Sequence, residues 1–241
     1  MGAPDTILPP ALSAETITSL ILSLDLPAPS SIEALQVQAT FHSIYLIHFN
    51  SAQYIPVHKD GPATLVLRFS GRHLPGIKTR NEVGIMTWIH KHTSIPVPAI
   101  IRYDATENNV IRHEFTLLEK ASGISVDQIY ATLSDEIKTQ MVHQSTDYLI
   151  ELHTPRQPWR DGYVGGLTLK PTGEITLGPP IEENLWQTSD LDKFWSTSAG
   201  VKSTQTLESL NVIPAEGFSS YTAYTTGSLE RYIHVIEIIT L

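Results

Sequence analysis

Ten histidines, 25 Asp and Glu residues and 16 Lys and Arg residues are the raw material for chemistry in this 241-residue sequence. Their spacing excludes several reactions at once. The chain has no cysteine, which removes disulfides, thiol catalysis and cysteine-based zinc sites together. His90 and His92 share the end of a helical segment, but residues two apart do not face each other on a helix. No His-Glu-x-x-His motif is present, and no Gly-x-Ser-x-Gly elbow supports a hydrolase triad. Scattered surface histidines are the better reading.

Phosphoryl transfer leaves a different footprint. It needs a base to orient the acceptor hydroxyl and carboxylates to hold magnesium. His58-Lys59-Asp60 matches the His-x-Asp part of that footprint, but Leu65 stands where the downstream Asn belongs. Asp104 and Asn109 have the right separation, but Arg102 replaces the His. Both segments read as turns, where Asp and Asn are favoured. Arg160-Asp161-Gly162 lacks the Asn. Asp190 and Asp192 lie in Ser-Asp-Leu-Asp, which reads as a helix start with charges that suit the dipole.

The elements that must position any site follow from periodicity. Residues 11–26 read as an amphipathic helix, with Ile17, Leu20, Ile21 and Leu24 at helical spacing. Ser13 is its expected cap, and Pro27 and Pro29 are its expected terminators. Residues 35–69 read as strands. Val37, Ala39 and Phe41 alternate, Ile44 to Ile47 continue the run, residues 58–62 turn, and Thr64 to Phe69 form a buried strand. Residues 78–92 switch to helical period, and Pro96 and Pro98 break it. Strands are expected at Ile100-Ile101 and at His113 to Leu118, with a turn over 104–109.

Beyond residue 120 the pattern becomes helical. Residues 134–153 form a strong helix capped by Ser134, with Ile137, Met141, Tyr148 and Leu152 along one face. The Gly- and Pro-rich stretch 158–182 reads as loop or short hairpin. Further helices are expected at 189–197, 203–210 and 219–239. The change of pattern near residue 120 suggests two lobes and an α+β fold class.

Composition bounds the partners. Apolar residues make up 41% and charged residues 17%, as in an ordinary globular protein. The net charge of −9 comes without a basic stripe, so a nucleic-acid partner is not expected. The start, MGAPDTILPP, lacks a secretory pattern. No apolar run reaches the ~20 residues of a spanning helix. Met1-Gly2 with Thr6 loosely matches a myristoylation pattern, but Pro4 and Asp5 follow at once and no basic cluster supports it. The expected compartment is the cytoplasm, with no membrane partner.

Five segments occur in an order that carries more information. They are Phe41-His42-Ser43-Ile44-Tyr45-Leu46-Ile47, Leu65-Val66-Leu67-Arg68-Phe69, Asn81-Glu82 through Ile89, Thr93 through Ala99, and Phe115 through Lys120 followed by Gly123. In that order and spacing the sequence resembles the aminoglycoside phosphotransferases and related small-molecule kinases, especially fungal members. The resemblance covers roughly residues 35–240 and is more specific in its first half.

The resemblance implies a protein-kinase-like fold. Residues 1–34 would be a helix and linker, 35–120 a β-rich N-terminal lobe with one inserted helix, and 121–241 a partial, mainly helical C-terminal lobe. It implies ATP as the cofactor and a small-molecule hydroxyl as acceptor. Arg68 would be the phosphate-binding cation, where the family commonly has Lys, and Glu82 its acidic partner. Backbone groups of Glu119, Lys120 and Ala121 would meet adenine at the hinge. Residues 36–48 contain no glycine, unlike the phosphate-covering loops of protein kinases. The family's His-x-Asp loop and its metal-binding Asp have no counterpart, so magnesium is not expected and the chain reads as inactive or incomplete. The alternative is a non-catalytic, pseudokinase-type binding or scaffold protein. The apolar last segment, with Leu229, Tyr232, Ile233, Ile236 and Ile239, would then invite a protein partner.

Overall fold

The computed structural model describes residues 9–35, 42–51, 53, 55, 61–71, 75–154, 162–181 and 216–240. Helix α1 spans Ala14–Ser23. The Ser13 hydroxyl caps it by accepting the Thr16 amide at 3.2 Å. Its end comes before the prolines. Asp25 takes a φ of 58°, the Leu26 amide reaches back to the Ile21 carbonyl at 3.4 Å, and the Asp25 amide reaches that of Leu22 at 3.2 Å. This is a Schellman closure with Asp in the left-handed position that glycine usually takes.

Five strands form one antiparallel sheet in the order β1-β2-β3-β5-β4. They are β1 Ser31–Ala34, β2 His42–Phe49, β3 Ala63–Ser70, β4 Ile100–Asp104 and β5 Phe115–Glu119. Helix α2, Ile77–His92, is inserted between β3 and β4. Alternation along β3 divides the sheet into two faces. Leu65, Leu67 and Phe69 are fully buried and share a core with Ile17, Leu20 and Ile21 of α1. Val66 and Arg68 point to the other side, where α2 lies. Strand β1 pairs with β2, and α1 seals one sheet face, so a single core crosses residue 34.

The Gly-rich stretch forms a hairpin of β6 (Gly166–Leu169) and β7 (Ile175–Gly178) that packs against α2. Its turn needs Gly173, whose φ is 81°, and is closed by Lys170 and Glu174 backbone groups at 2.9 Å. A short helix α3 (Val126–Ile129) leads through a 3-10 turn to α4 (Asp135–His153), and α5 spans Tyr221–Thr240. Ser134 caps α4 through the Ile137 amide at 3.4 Å. The apolar face expected on α4 is not covered by the described residues. Ile137 is 45% exposed, Met141, Tyr148 and Leu152 are only partly buried, and no α4 residue is buried. Leu229 and Ile233 of α5 are more than half exposed. Among the described residues, no helix is long and apolar enough to cross a membrane.

Several expectations lie outside the described residues: the alternation at Val37, Ala39 and Phe41, the His58-Lys59-Asp60 turn, Asp161, Asp190 and Asp192, and the helices at 189–197 and 203–210. The side chains of Tyr232, Ile236 and Ile239 do as well.

Candidate functional site

The sheet face opposite α1 carries the charged groups. Arg68 projects from the middle of β3, opposite Ile44 of β2 and Thr116 of β5. Those residues are its same-face neighbours across the sheet. Its Nη1 donates to Oε1 of Glu82, in the second turn of α2. The side chains are 27% and 22% exposed, so the pair is half-sunk rather than sealed. A guanidinium carries five N–H donors, and a carboxylate that fixes its plane leaves donors able to meet an anion.

Two further charges border this pair. Lys78 lies one turn before Glu82 on α2 and is 7% exposed. Its Nζ donates to the Gly71 carbonyl at 3.3 Å. Burial pushes its amine down to about 8; Glu114 and then Glu82 oppose that shift, while Arg68 adds to it. Glu114, 6% exposed, accepts the Gly76 amide through Oε1. Its Oε2 is buried without a hydrogen-bond partner among the described residues. Two cations and two carboxylates thus gather where β3, α2 and the start of β5 converge.

Sequence reasoning missed Lys78 and Glu114. Lys78 was accessible to it, because residues four apart share a helix face and Glu82 was already marked. Glu114 offered no such signal, since only the folded sheet brings it to the start of α2.

The hinge residues sit apart from this cluster. Glu119 ends β5, where its amide donates to the Ala99 carbonyl at 2.9 Å and its Oε2 accepts the Ala99 amide at 3.4 Å. Lys120 and Ala121 follow as exposed residues beyond the strand. The Asp104–Asn109 segment is a turn held by its own side chains. Asp104 Oδ1 accepts from the Thr106 amide at 2.8 Å, and Oδ2 accepts from Asn109 Nδ2 at 3.0 Å. His92 stacks on Trp88 with ring centroids 5.3 Å apart. Among the described residues, no three His, Asp or Glu side chains are grouped to hold a metal ion.

The chain matches no family model, no curated protein sequence and no solved structure.

Proposed function

We propose that this chain is an aminoglycoside-phosphotransferase-like protein that binds ATP in the cytoplasm, with Arg68 as the phosphate-binding cation. The observation that carries the reading is the Arg68–Glu82 pair. Protein kinases place a strand-β3 cation against a glutamate of the following helix to hold the phosphates. Here β3 and the helix inserted after it supply the same two charge types. The exposed backbone of Lys120 and Ala121 is the edge proposed for adenine, because the Glu119 amide is engaged by Ala99.

By family the activity would be phosphoryl transfer to a hydroxyl of a small molecule. The part of that activity proposed for these residues is nucleotide binding, through Arg68 and the Glu82 that holds it. No step through magnesium is proposed; among the described residues no three His, Asp or Glu side chains are grouped to hold a metal ion.

Isothermal calorimetry with ATP, with and without magnesium, tests the reading. Binding that does not require magnesium is the expected result. No heat of binding at millimolar ATP under either condition would remove it.

A further inference from the structure

Helix α2 is gripped from two sides. The sheet holds it through the Arg68–Glu82 pair, and the β6–β7 hairpin holds it by close backbone contact. A methyl group on Gly84 would stand 2.8 Å from the Leu167 carbonyl oxygen, 2.9 Å from its carbon and 3.1 Å from the Leu169 nitrogen. Asn81, 7% exposed, fills the space beside Gly166 where a side chain would begin. Its amide nitrogen has no hydrogen-bond partner among the described residues, so this contact is one of shape. The hairpin is itself stiffened. The Tyr163 hydroxyl meets the Gly166 carbonyl at 2.9 Å and the Gly178 carbonyl at 2.5 Å, tying both strands together.

We infer that the β6–β7 hairpin is a positioning clamp that fixes the rotation of α2 so that Glu82 meets Arg68. Asn81 and Gly84 lie three apart and share a helix face. Glu82 lies between them in sequence, about 100° around the helix from Asn81. A helix held on its 81/84 face therefore presents Glu82 at one fixed angle. Gly84 and Asn81 are positioning residues in this scheme: they act on the ion pair through the helix backbone. The clamp is a property of the protein without ligand, independent of nucleotide binding.

The test is a double-mutant cycle on stability, using Arg68→Gln, Glu82→Gln and the pair, read by urea unfolding. The cycle is repeated in a Gly84→Ala background and in a Tyr163→Phe background, which loosens the hairpin without touching α2. A Leu20→Ala background is the control, because it weakens the opposite sheet face. The Arg68–Glu82 coupling is expected to fall below half its native value in Gly84→Ala, to fall measurably in Tyr163→Phe, and to hold in Leu20→Ala. Undiminished coupling in Gly84→Ala overturns the clamp, as does an equal loss in Leu20→Ala. If Gly84→Ala does not fold, undiminished coupling in Tyr163→Phe overturns it.

Discussion

Glu114 closes the start of α2 from across the fold, accepting the amide of Gly76. That helix has no side-chain cap of its own and no acidic residue in its first turn. A carboxylate from the start of β5 therefore supplies the negative charge that the helix dipole favours, and it also faces Lys78. Glu114→Ala removes the acceptor and leaves a buried ammonium without its main counter-charge. The expected loss is about 1–3 kcal/mol in urea unfolding. Glu114→Gln keeps an acceptor and is expected to recover part of it. An Ala variant as stable as the native chain would show that water replaces the carboxylate.

Lys78 gives the protein a pH dependence of defined sign. Its amine falls from an ordinary 10.5 to about 8 in the fold. Between those values the unfolded chain holds a proton that the folded chain has released. Stability therefore rises with pH across that window and is flat below it, so far as Lys78 is concerned. The full swing is about 3 kcal/mol. Other groups titrate in the same range, so the quantity to measure is the stability difference between native protein and Lys78→Met. That difference should move in favour of the native chain from pH 8 to pH 10.5. A level difference curve would place Lys78 in water.

The sequence announced some of this and hid the rest for physical reasons. Ser13 and Ser134 were readable as caps because a cap is a local event, one hydroxyl against an amide three residues on. Strand β3 was readable because Thr64 to Phe69 is a β-prone run whose apolar Leu65, Leu67 and Phe69 alternate onto one face. Strand β1 was not, because Ser31–Ala34 is a short edge strand, mostly exposed and without apolar alternation. The end of α1 was misplaced at Pro27 because an Asp in left-handed geometry has no reliable sequence mark. Arg68 and Glu82 were found by resemblance, while Glu114 depends on sheet pairing that periodicity does not encode. The α4 pattern correctly marked a helix, but periodicity cannot say whether a neighbour covers its face.

Gly84→Ala sets helix propensity against packing. In an exposed helix, alanine is favoured over glycine by about 1 kcal/mol. Here the new methyl would meet backbone atoms of Leu167 at 2.8 and 2.9 Å, and backbone cannot swing aside as a side-chain tip can. Packing is expected to win, for a net loss of about 1–3 kcal/mol in chemical denaturation. A stabilised Ala variant would mean that the hairpin stands farther from α2.

Ser94 and Glu151 join α4 to the segment after α2. The Ser94 amide donates to Oε1 at 2.6 Å and its hydroxyl donates to Oε2 at 2.8 Å. No described residue of α4 is fully buried, so this clasp is expected to contribute to its order alongside helical propensity. Glu151→Gln and Ser94→Ala should each speed amide hydrogen exchange along α4. The sheet should be unaffected, and global stability should change by less than about 1 kcal/mol. Unchanged α4 exchange in both variants would locate its support elsewhere.

Arg68 separates a phosphate site from a structural ion pair. If it only anchors α2, its replacement lowers stability without altering nucleotide affinity in the folded fraction. If it meets phosphate, Arg68→Ala should weaken ATP by about 10- to 100-fold, the value of one charge-assisted hydrogen bond. Adenosine, which has no phosphate, should bind the native and Ala chains alike. Arg68→Lys keeps the charge but loses the planar fork, and is expected to retain ATP within about tenfold. Matched ATP and adenosine titrations of the three chains, corrected for the folded fraction, check this. Equal losses for both ligands in Arg68→Ala would assign Arg68 to structure alone, because a missing phosphate contact cannot weaken a ligand that never had one.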